Sequence, residues 1–387
     1  MTPSLPDRAA FADTRRAQRI VVKVGSSSLT DTAGRLDVSR LGDLVDVLAA
    51  RIADGGQVTL VSSGAIASAL TVLGLPGRPR DLSLAQAAAS VGQGLLMAHY
   101  MRAFSVHGLH VGQVLLTVED VIRRGHYRNA QRALNRLLDL GVVPIVNEND
   151  TVATHEIRFG DNDRVAALVA HLTQADALLL LSDVDALYDG PPDLPGAKRI
   201  VRVDRPEDLD DLVITADGST VGTGGMVTKV EAATIATGSG VPVVLTSAAN
   251  AAAALAGEDV GTWFAPTGRR IQTRRLWLAH AAHTRGRVVL DEGAVRAITT
   301  GKKSLLAAGV IGVEGDFEAG DPVELVGTDA VVVARGLVGY SAEELPARMG
   351  RTSQQLAQAF GDGNARTVVH RDDMVQVRRR SAQVGER

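Results

Sequence analysis

The chain has 387 residues, of which 45% are hydrophobic and 22% charged, and its formal net charge is −3. This length allows two globular domains, and the small net charge gives no global indication of a nucleic-acid or membrane-surface partner. The sequence contains no cysteine, which excludes disulfides, thiolate nucleophiles and cysteine-ligated metal sites. Only 3% of the residues are aromatic, so we expect a core of Val, Leu, Ala and Ile.

The two ends of the sequence are predicted to be solvated tails. Residues 1–17 carry Asp7 and Asp13 where a signal peptide would be apolar, and residues 366–387 are rich in charge. No apolar run approaches the roughly 18 residues that a membrane span requires. We therefore expect a cytoplasmic protein without a membrane partner.

Strands alternate with helices from about residue 18 to residue 270. Each predicted strand is an almost continuous apolar run, which is typical of a mostly parallel sheet covered by helices on both faces, an α/β fold. The predicted strands are 19–24, 57–61, 110–116, 142–146, 177–182 and 241–246, and the predicted helices are 36–53, 84–107, 128–140, 163–171 and 228–239.

The character of the sequence changes near residues 267–275, where Gly, Thr and Arg cluster. Short strands between glycines follow and predict a small β-rich, barrel-like domain over residues 276–365. Residues 285–365 contain 8 Lys and Arg against 11 Asp and Glu, a net charge of −3. A nucleic-acid-binding domain usually shows a basic face, so we expect a structural or regulatory role for this domain. Its predicted strands are 287–290, 309–314, 322–325 and 331–337.

Two clusters of Asn and Asp lie a dozen residues apart in the first domain. Asn147, Asn149 and Asp150 follow a buried strand, and residues 161–163 open an apolar helix. In open α/β sheets, ligands bind at the carboxyl ends of the strands, where such side chains would converge. This density of polar groups predicts recognition of a small charged substrate.

Two lysines are candidates for binding a phosphoryl group. Lys23 lies inside an apolar strand, where its ammonium is costly to bury unless it meets an anion; the alternative is a snorkelling lysine at a sheet edge. Lys229 ends the segment GTGGMVTK just before a helix, where glycines and free N–H groups can cradle an anion. This segment matches neither the Walker A nor the G-x-G-x-x-G pattern, and a flexible glycine loop remains the alternative.

Small hydroxyl side chains end two further strands. Ser63 and the glycine after it could hold a carboxylate, or could simply begin a helix as its N-cap. Ser182 and Asp183 could meet a nucleotide, or could cap the next turn. The surroundings of Ser63 are not G-x-S-x-G, so a hydrolase nucleophile is not supported.

The segments VVKVGSSSLT, VSSGAIA, VNEND, GDND, LLLLSDVDALY and GTGGMVTK, in this order, resemble the amino-acid kinase family over about residues 18–270. The remainder, with RVVLDEGAVRAI and ARGLVGYSAEEL, resembles a PUA domain. Their order and spacing are most similar to the family members that phosphorylate the γ-carboxylate of L-glutamate with ATP, the first step of proline biosynthesis.

The resemblance implies a role for each candidate residue. Lys23 and Lys229 would hold the transferred phosphoryl group, and Asp163 would organise both lysines. Glutamate would be bound by Ser63, Asn147, Asp150 and Asn162. ATP would contact Lys23, Ser182, Asp183, Thr223, Gly224, Gly225, Met226, Val227, Thr228 and Lys229.

The resemblance also implies cofactors and partners. Mg²⁺ would be held mostly by ATP phosphates and water, without a protein metal cage. The glutamate carboxylate is ionised at pH 7, so no general base is required. We further expect a homo-oligomer, feedback inhibition by proline, and a reductase that consumes the labile acyl phosphate.

Two other functions remain open from the sequence. Within the family, the acceptor could be another acid or UMP, although a phosphate-bearing acceptor would favour Arg or Lys over Asn and Asp in its site. Outside enzymes, the chain could be a non-catalytic amino-acid sensor or an RNA-binding protein on a kinase-like fold.

Overall fold

The structure is a computed structural model, and it describes residues 14–117, 120, 124–152, 162–190, 196–209, 225–267, 284–301, 303–361 and 366–376. The chain divides into two compact units, Met1–Ile271 and Gln272–Arg387. No described helix is both long enough and apolar enough to cross a membrane.

The strands of the first unit confirm the predicted parallel sheet. They are β1 (Arg19–Val24), β2 (Gln57–Ser62), β3 (His110–Leu116), β4 (Val142–Glu148), β5 (Ala177–Ser182), β6 (Leu187–Tyr188), β7 (Arg199–Ile200), β8 (Arg202–Val203), β9 (Val243–Ser247) and β10 (Thr262–Phe264). Eight of them form one sheet in the order β3-β4-β2-β1-β5-β9-β10-β8. The six strands from β3 to β9 are parallel, whereas β10 is antiparallel to β9. Strands β6 and β7 form a separate antiparallel pair.

The described helices of the first unit are α1 (Ser26–Leu29), α2 (Val38–Ala53), α3 (Ala65–Ala69), α4 (Leu82–Val106), α5 (Arg124–Asp139), α6 (Asn162–Leu172), α7 (Met226–Gly238) and α8 (Ala251–Leu255). Five of them, α2, α4, α5, α6 and α7, begin and end within a few residues of the predicted ranges, whereas the short helices α1, α3 and α8 lie outside those ranges. Aspartate side chains begin α2 and α4, because Asp37 accepts from the N–H groups of Ser39 and Arg40 and Asp81 accepts from that of Leu84.

Strand β1 separates the hydrophobic core from the side that carries the candidate lysine. Ile20, Val22 and Val24 belong to a core cluster with residues of α2 and α4. Because side chains alternate across a strand, Lys23 points to the opposite face of the sheet, where helix α6 packs on β1. Because Val22 and Val24 point into the core, the Lys23 side chain between them points towards α6.

Helices α3 and α4 pack unusually closely at Gly92. A Cβ atom at this position would lie 1.7 Å from the carbonyl oxygen of Ala65, a distance that no side chain can occupy. Only glycine therefore allows α4 to lie against the start of α3, which directly follows β2.

The second unit is built on a five-stranded sheet with its own core. Its strands are β11 (Gly286–Leu290), β12 (Val310–Gly315), β13 (Pro322–Val326), β14 (Val332–Val338) and β15 (Val369–Gln376), in the order β12-β11-β13-β14-β15. The described part of the second unit also contains helices α9 (Glu292–Thr299) and α10 (Ser353–Phe360), which were not predicted. Val288, Phe317, Leu325 and Tyr340 are among its fully buried core residues. The β-rich character of this region is confirmed.

The prediction of a tail over residues 366–387 is wrong for β15. This strand pairs antiparallel with β14 and places Val369 and Met374 in the core of the second unit. Between them, His370, Arg371 and Asp372 are exposed. Charged side chains are common on edge strands, where they discourage pairing with other chains, and here they concealed the strand in the sequence.

We predict that Gly92→Ala lowers the free energy of unfolding by about 3 kcal/mol, because the new methyl group meets backbone atoms of α3 that cannot move aside. The matched control is Gly94→Ala on the same helix, where nothing lies within 4 Å of an added Cβ. That variant should raise the stability by about 0.5–1 kcal/mol through helix propensity. Urea unfolding followed by circular dichroism measures both, and equal stabilities would contradict the close packing.

Candidate active site

The candidate residues gather at one edge of the large sheet. Strand β1 ends at Val24, β2 at Ser62, β4 at Glu148 and β5 at Ser182. Because these strands are parallel neighbours, their carboxyl ends lie side by side. Ligands bind at this edge in open α/β sheets.

The first group at this edge consists of two lysines that share one aspartate. Lys23 Nζ lies 2.5 Å from Asp163 Oδ1, and Lys229 Nζ lies 3.5 Å from Asp163 Oδ2. The three side chains are at most 8% exposed. These three side chains bring two ammonium groups and one carboxylate together in a buried place, and buried ammonium groups favour an incoming anion. We name Lys23, Asp163 and Lys229 the lysine group.

Each member of the lysine group comes from a different element. Lys23 is on β1, Asp163 is in the first turn of α6, and Lys229 is in the first turn of α7. The positive end of the α6 dipole further stabilises the Asp163 carboxylate. Thr228 donates a hydrogen bond to the carbonyl of Gly225 at 2.9 Å, and its hydroxyl lies 3.4 Å from Asp163 Oδ2.

The second group at this edge is a set of amides and hydroxyls around Asn162. The Nδ2 group of Asn162 donates to Ser63 Oγ at 2.9 Å, to Asn147 Oδ1 at 2.9 Å and to the Ser62 carbonyl at 3.2 Å. A carbonyl oxygen only accepts, so the bond to Ser62 fixes which end of the Asn162 amide points inward. We name Ser63, Asn147 and Asn162 the amide group.

The oxygen of Asn162 is left available by this arrangement. Its Oδ1 is buried, and no described residue donates a hydrogen bond to it. Buried polar atoms are nearly always hydrogen-bonded in native proteins, so a ligand donor is a natural partner for this oxygen. Since Asn162 and Asp163 are consecutive, the lysine group and the amide group meet at the start of α6.

Helix α4 supports the amide group with two buried polar residues that the sequence analysis missed. Gln93 Oε1 accepts from Asn147 Nδ2 at 2.8 Å, and Tyr100 OH lies 2.7 Å from Ser62 Oγ. Ser62 Oγ gives its own proton to the Ser63 carbonyl, so Tyr100 is the donor. Burial raises the pKa of Tyr100 well above its usual value, which keeps this donor protonated. In the sequence, these two residues could have been recognised as a Gln and a Tyr two helical turns apart on an otherwise apolar helix face.

An ion pair that was also missed joins the helices that carry Asp163 and Lys229. Arg164 on α6 contacts Glu231 on α7 through an N–O distance of 2.6 Å. Arg164 directly follows Asp163, and Glu231 lies two residues after Lys229. The pair therefore links the two helix starts from which the lysine group is built.

The remaining predicted residues lie outside these two groups. Ser182 is buried at the end of β5 and donates to Asp183 Oδ1 at 2.9 Å, while Asp183 itself is exposed. Asp150 is half-buried just beyond β4. The N-cap of α7 is Gly225, followed by Met226 and Val227 in its first turn. Thr223 and Gly224 fall outside the described residues.

Two alternatives from the sequence are wrong. Lys23 is not a snorkelling edge lysine, because β1 lies between β2 and β5 in the sheet and the side chain is buried. Ser63 is not the N-cap of α3, because Gly64 occupies that position with a φ of 101° and without a side-chain cap.

Comparisons with known proteins agree with the architecture of the chain. A family model described as "Amino acid kinase family" matches residues 18–247, and one described as "PUA domain" matches residues 286–360.

Three relatives extend this match over nearly the whole chain. Glutamate 5-kinase of Thermobifida fusca is 60% identical over 369 residues, which cover 95% of each chain. Glutamate 5-kinase of Streptomyces coelicolor is 61% identical over 360 residues, covering 93% of this chain and 96% of the relative. Glutamate 5-kinase of Bifidobacterium adolescentis is 53% identical over 378 residues, covering 97% and 100%. The chain belongs to the amino acid kinase family and carries a PUA domain in its C-terminal part.

Proposed function

We propose that this chain is an ATP-dependent glutamate 5-kinase, which transfers the γ-phosphoryl group of ATP to the γ-carboxylate of L-glutamate. The products are L-glutamyl 5-phosphate and ADP, and the reaction opens proline biosynthesis. The observation that carries the proposal is the junction of the lysine group and the amide group at the start of α6. Three relatives that are 53–61% identical to this chain bear the name of this activity, which supports the choice of acceptor.

The lysine group has the charge that phosphoryl transfer requires. A bond forms between a glutamate carboxylate oxygen and the γ-phosphorus, and the bond from that phosphorus to the β,γ-bridging oxygen breaks, so that ADP leaves with the electron pair. The protein contributes mainly positioning and electrostatic stabilisation. Lys23 and Lys229 offset the negative charge of the phosphoryl group, and Asp163 reduces the repulsion between the two ammonium groups. The attacking carboxylate is already ionised, so no side chain needs to remove a proton.

The amide group offers a hydrogen-bond acceptor for the ammonium of glutamate. Glutamate carries two carboxylates, which only accept hydrogen bonds at pH 7, and one ammonium, which only donates. The available Oδ1 of Asn162 therefore suits the ammonium, and Asp150 offers a second, charged acceptor for it. Ser63 offers a hydroxyl donor to a carboxylate. The amide group contains no Arg or Lys, and this disfavours UMP as the acceptor.

The nucleotide would lie across the ends of β5 and α7. We assign its contacts to Ser182, Asp183 and the segment that ends at Lys229, because free N–H groups at a helix start favour phosphate. Among the described residues, no three His, Asp or Glu side chains lie together as metal ligands, and both oxygens of Asp163 face lysines. We therefore expect Mg²⁺ to be held through ATP phosphates and water, where it would neutralise phosphate charge.

The proposal extends to partners and location. An acyl phosphate is labile in water, so a reductase that consumes it promptly is the expected partner. Proline shares the α-carboxylate and α-nitrogen of glutamate and is therefore the expected feedback inhibitor. We also propose a homo-oligomer in the cytoplasm, on the resemblance to the family.

We predict glutamate-dependent ADP release that is lost in Lys229→Met. Removing one charged donor from a phosphoryl site should lower kcat by about 100- to 1,000-fold, with the KM for glutamate nearly unchanged. The assay measures ADP with Mg-ATP and glutamate, aspartate, N-acetylglutamate or UMP, and hydroxylamine traps an acyl phosphate as a hydroxamate. The matched control is Lys303→Met, an exposed lysine of the second unit, which should keep the wild-type kcat.

Two results would contradict the proposed function. If a folded, ATP-binding protein released no ADP with any acceptor, a sensor or RNA-binding role would replace the kinase. If Lys229→Met kept its kcat, the lysine group would not be the phosphoryl site.

We predict that Asp163→Asn lowers both activity and stability. The substitution leaves two buried ammonium groups without their shared counter-ion, which should lower the free energy of unfolding by about 3–5 kcal/mol. Asp183→Asn is the control, because that carboxylate is exposed and its loss should change stability by no more than about 0.5 kcal/mol without nucleotide. Urea unfolding decides, and equal stability of the two variants would refute the counter-ion role.

A further inference from the structure

Gln93 is the outermost member of a hydrogen-bond chain that reaches the acceptor site from helix α4. Its side chain is 9% exposed, and its Oε1 accepts from Asn147 Nδ2 at 2.8 Å. The chain continues from Asn147 to Asn162 and from Asn162 to Ser63, each step at 2.9 Å. Gln93 lies 54 residues from Asn147 in sequence, so only the packing of α4 brings the two together.

In each of these hydrogen bonds, the donor and the acceptor can be assigned. The backbone N–H of Glu148 donates to Asn147 Oδ1 at 2.9 Å, which makes this atom an oxygen and the other end of the amide a donor. That donor, Nδ2, faces the Gln93 oxygen. Asn147 Oδ1 then accepts from Asn162 Nδ2, and this leaves the Asn162 oxygen turned away from the chain and available.

The loss of the Gln93 oxygen would leave Asn147 Nδ2 without its acceptor. Asn147 is buried, and an unpaired buried donor is costly, so its side chain would shift towards another acceptor, although the Glu148 N–H opposes a full reversal of the amide. A shifted Asn147 would weaken the bond that its Oδ1 accepts from Asn162 Nδ2. Asn162 would then be held less precisely, and its oxygen would no longer lie where the substrate ammonium binds.

The packing of α4 places Gln93 beside the acceptor site. Directly before it, Gly92 allows the close approach of α4 to the Ala65 carbonyl. Two turns later, Tyr100 bonds Ser62, the carbonyl of which also accepts from Asn162. The helix is therefore attached on both sides of the acceptor site, to the end of β2 and to the end of β4.

We propose that Gln93 is a positioning residue that makes the enzyme selective for the ammonium of its acceptor. It does so by holding the Asn147 amide in place and, through Asn147, the Asn162 amide, and it touches no reacting atom. The inference rests on the proposed function, since it assumes that the Asn162 oxygen receives the ammonium of glutamate.

The test compares Gln93→Met with the wild-type chain at saturating Mg-ATP. Methionine has nearly the same length as glutamine but cannot accept the hydrogen bond from Asn147. We expect the KM for glutamate to rise about tenfold, while kcat and the KM for ATP stay within about twofold. Glutarate, which is glutamate without its ammonium, serves as a competitive inhibitor, and its inhibition constant should stay within about twofold.

A matched control separates positioning from general support. Gln57→Met makes the same substitution at the start of β2, away from the acceptor site. There Gln57 forms hydrogen bonds with Arg19 and with the Leu138 carbonyl. This variant should lose stability without a change in the ratio of the glutamate KM to the glutarate inhibition constant. If Gln93→Met does not fold, Gln93→Asn withdraws the acceptor by one methylene in a more conservative way and should raise the ratio similarly.

Two outcomes overturn the inference. A glutamate KM within about twofold of wild type in the Gln93 variant that folds would show that the placement of the two amides does not depend on this residue. A parallel rise for glutamate and glutarate would show that Gln93 supports the whole pocket and not the ammonium contact. If the wild-type chain does not turn over glutamate at all, the proposed function fails first, which is a different result.

Discussion

The shared carboxylate of Asp163 is the interaction on which the site depends. Two lysines from different elements approach one buried aspartate, and neither ammonium could be buried so deeply without it. Within these three side chains two positive charges meet one negative charge, which suits the phosphoryl group in the proposed function. A fully neutral group would not attract phosphate, and two unpaired lysines would repel each other and destabilise the fold.

In the proposed function, helix α6 connects this charge to recognition of the glutamate acceptor. Its first two residues take different tasks, because Asn162 turns to the ends of β2 and β4 while Asp163 turns to β1 and α7. In the proposed function, a single helix start therefore sets the distance between the acceptor and the phosphoryl group. A reaction that relies on positioning benefits from such rigidity.

The sequence predicted the features that local chemistry determines. Lys23 was recognisable because a lysine inside an apolar strand requires a counter-ion, and the parallel sheet followed from its near-continuous apolar strands. Gln93 was not recognisable, because its partner is 54 residues away and a glutamine in a helix has many harmless explanations. Strand β15 was missed for a different reason, since four consecutive polar or charged residues concealed a strand that buries Val369 before them and Met374 after them.

The edge strand β15 also decides where the second unit can be cut. Similarity to the PUA family ends at residue 360, and a boundary drawn there would look safe on the sequence. Yet β14 pairs with β15 along its length, and Val369 also bonds the segment before β12 through the backbone of Leu305. A chain shortened at residue 365 would expose the unpaired edge of β14 together with the core residues that Val369 and Met374 cover. Such a surface invites aggregation, so any experiment on the second unit alone should retain the chain at least to Gln376.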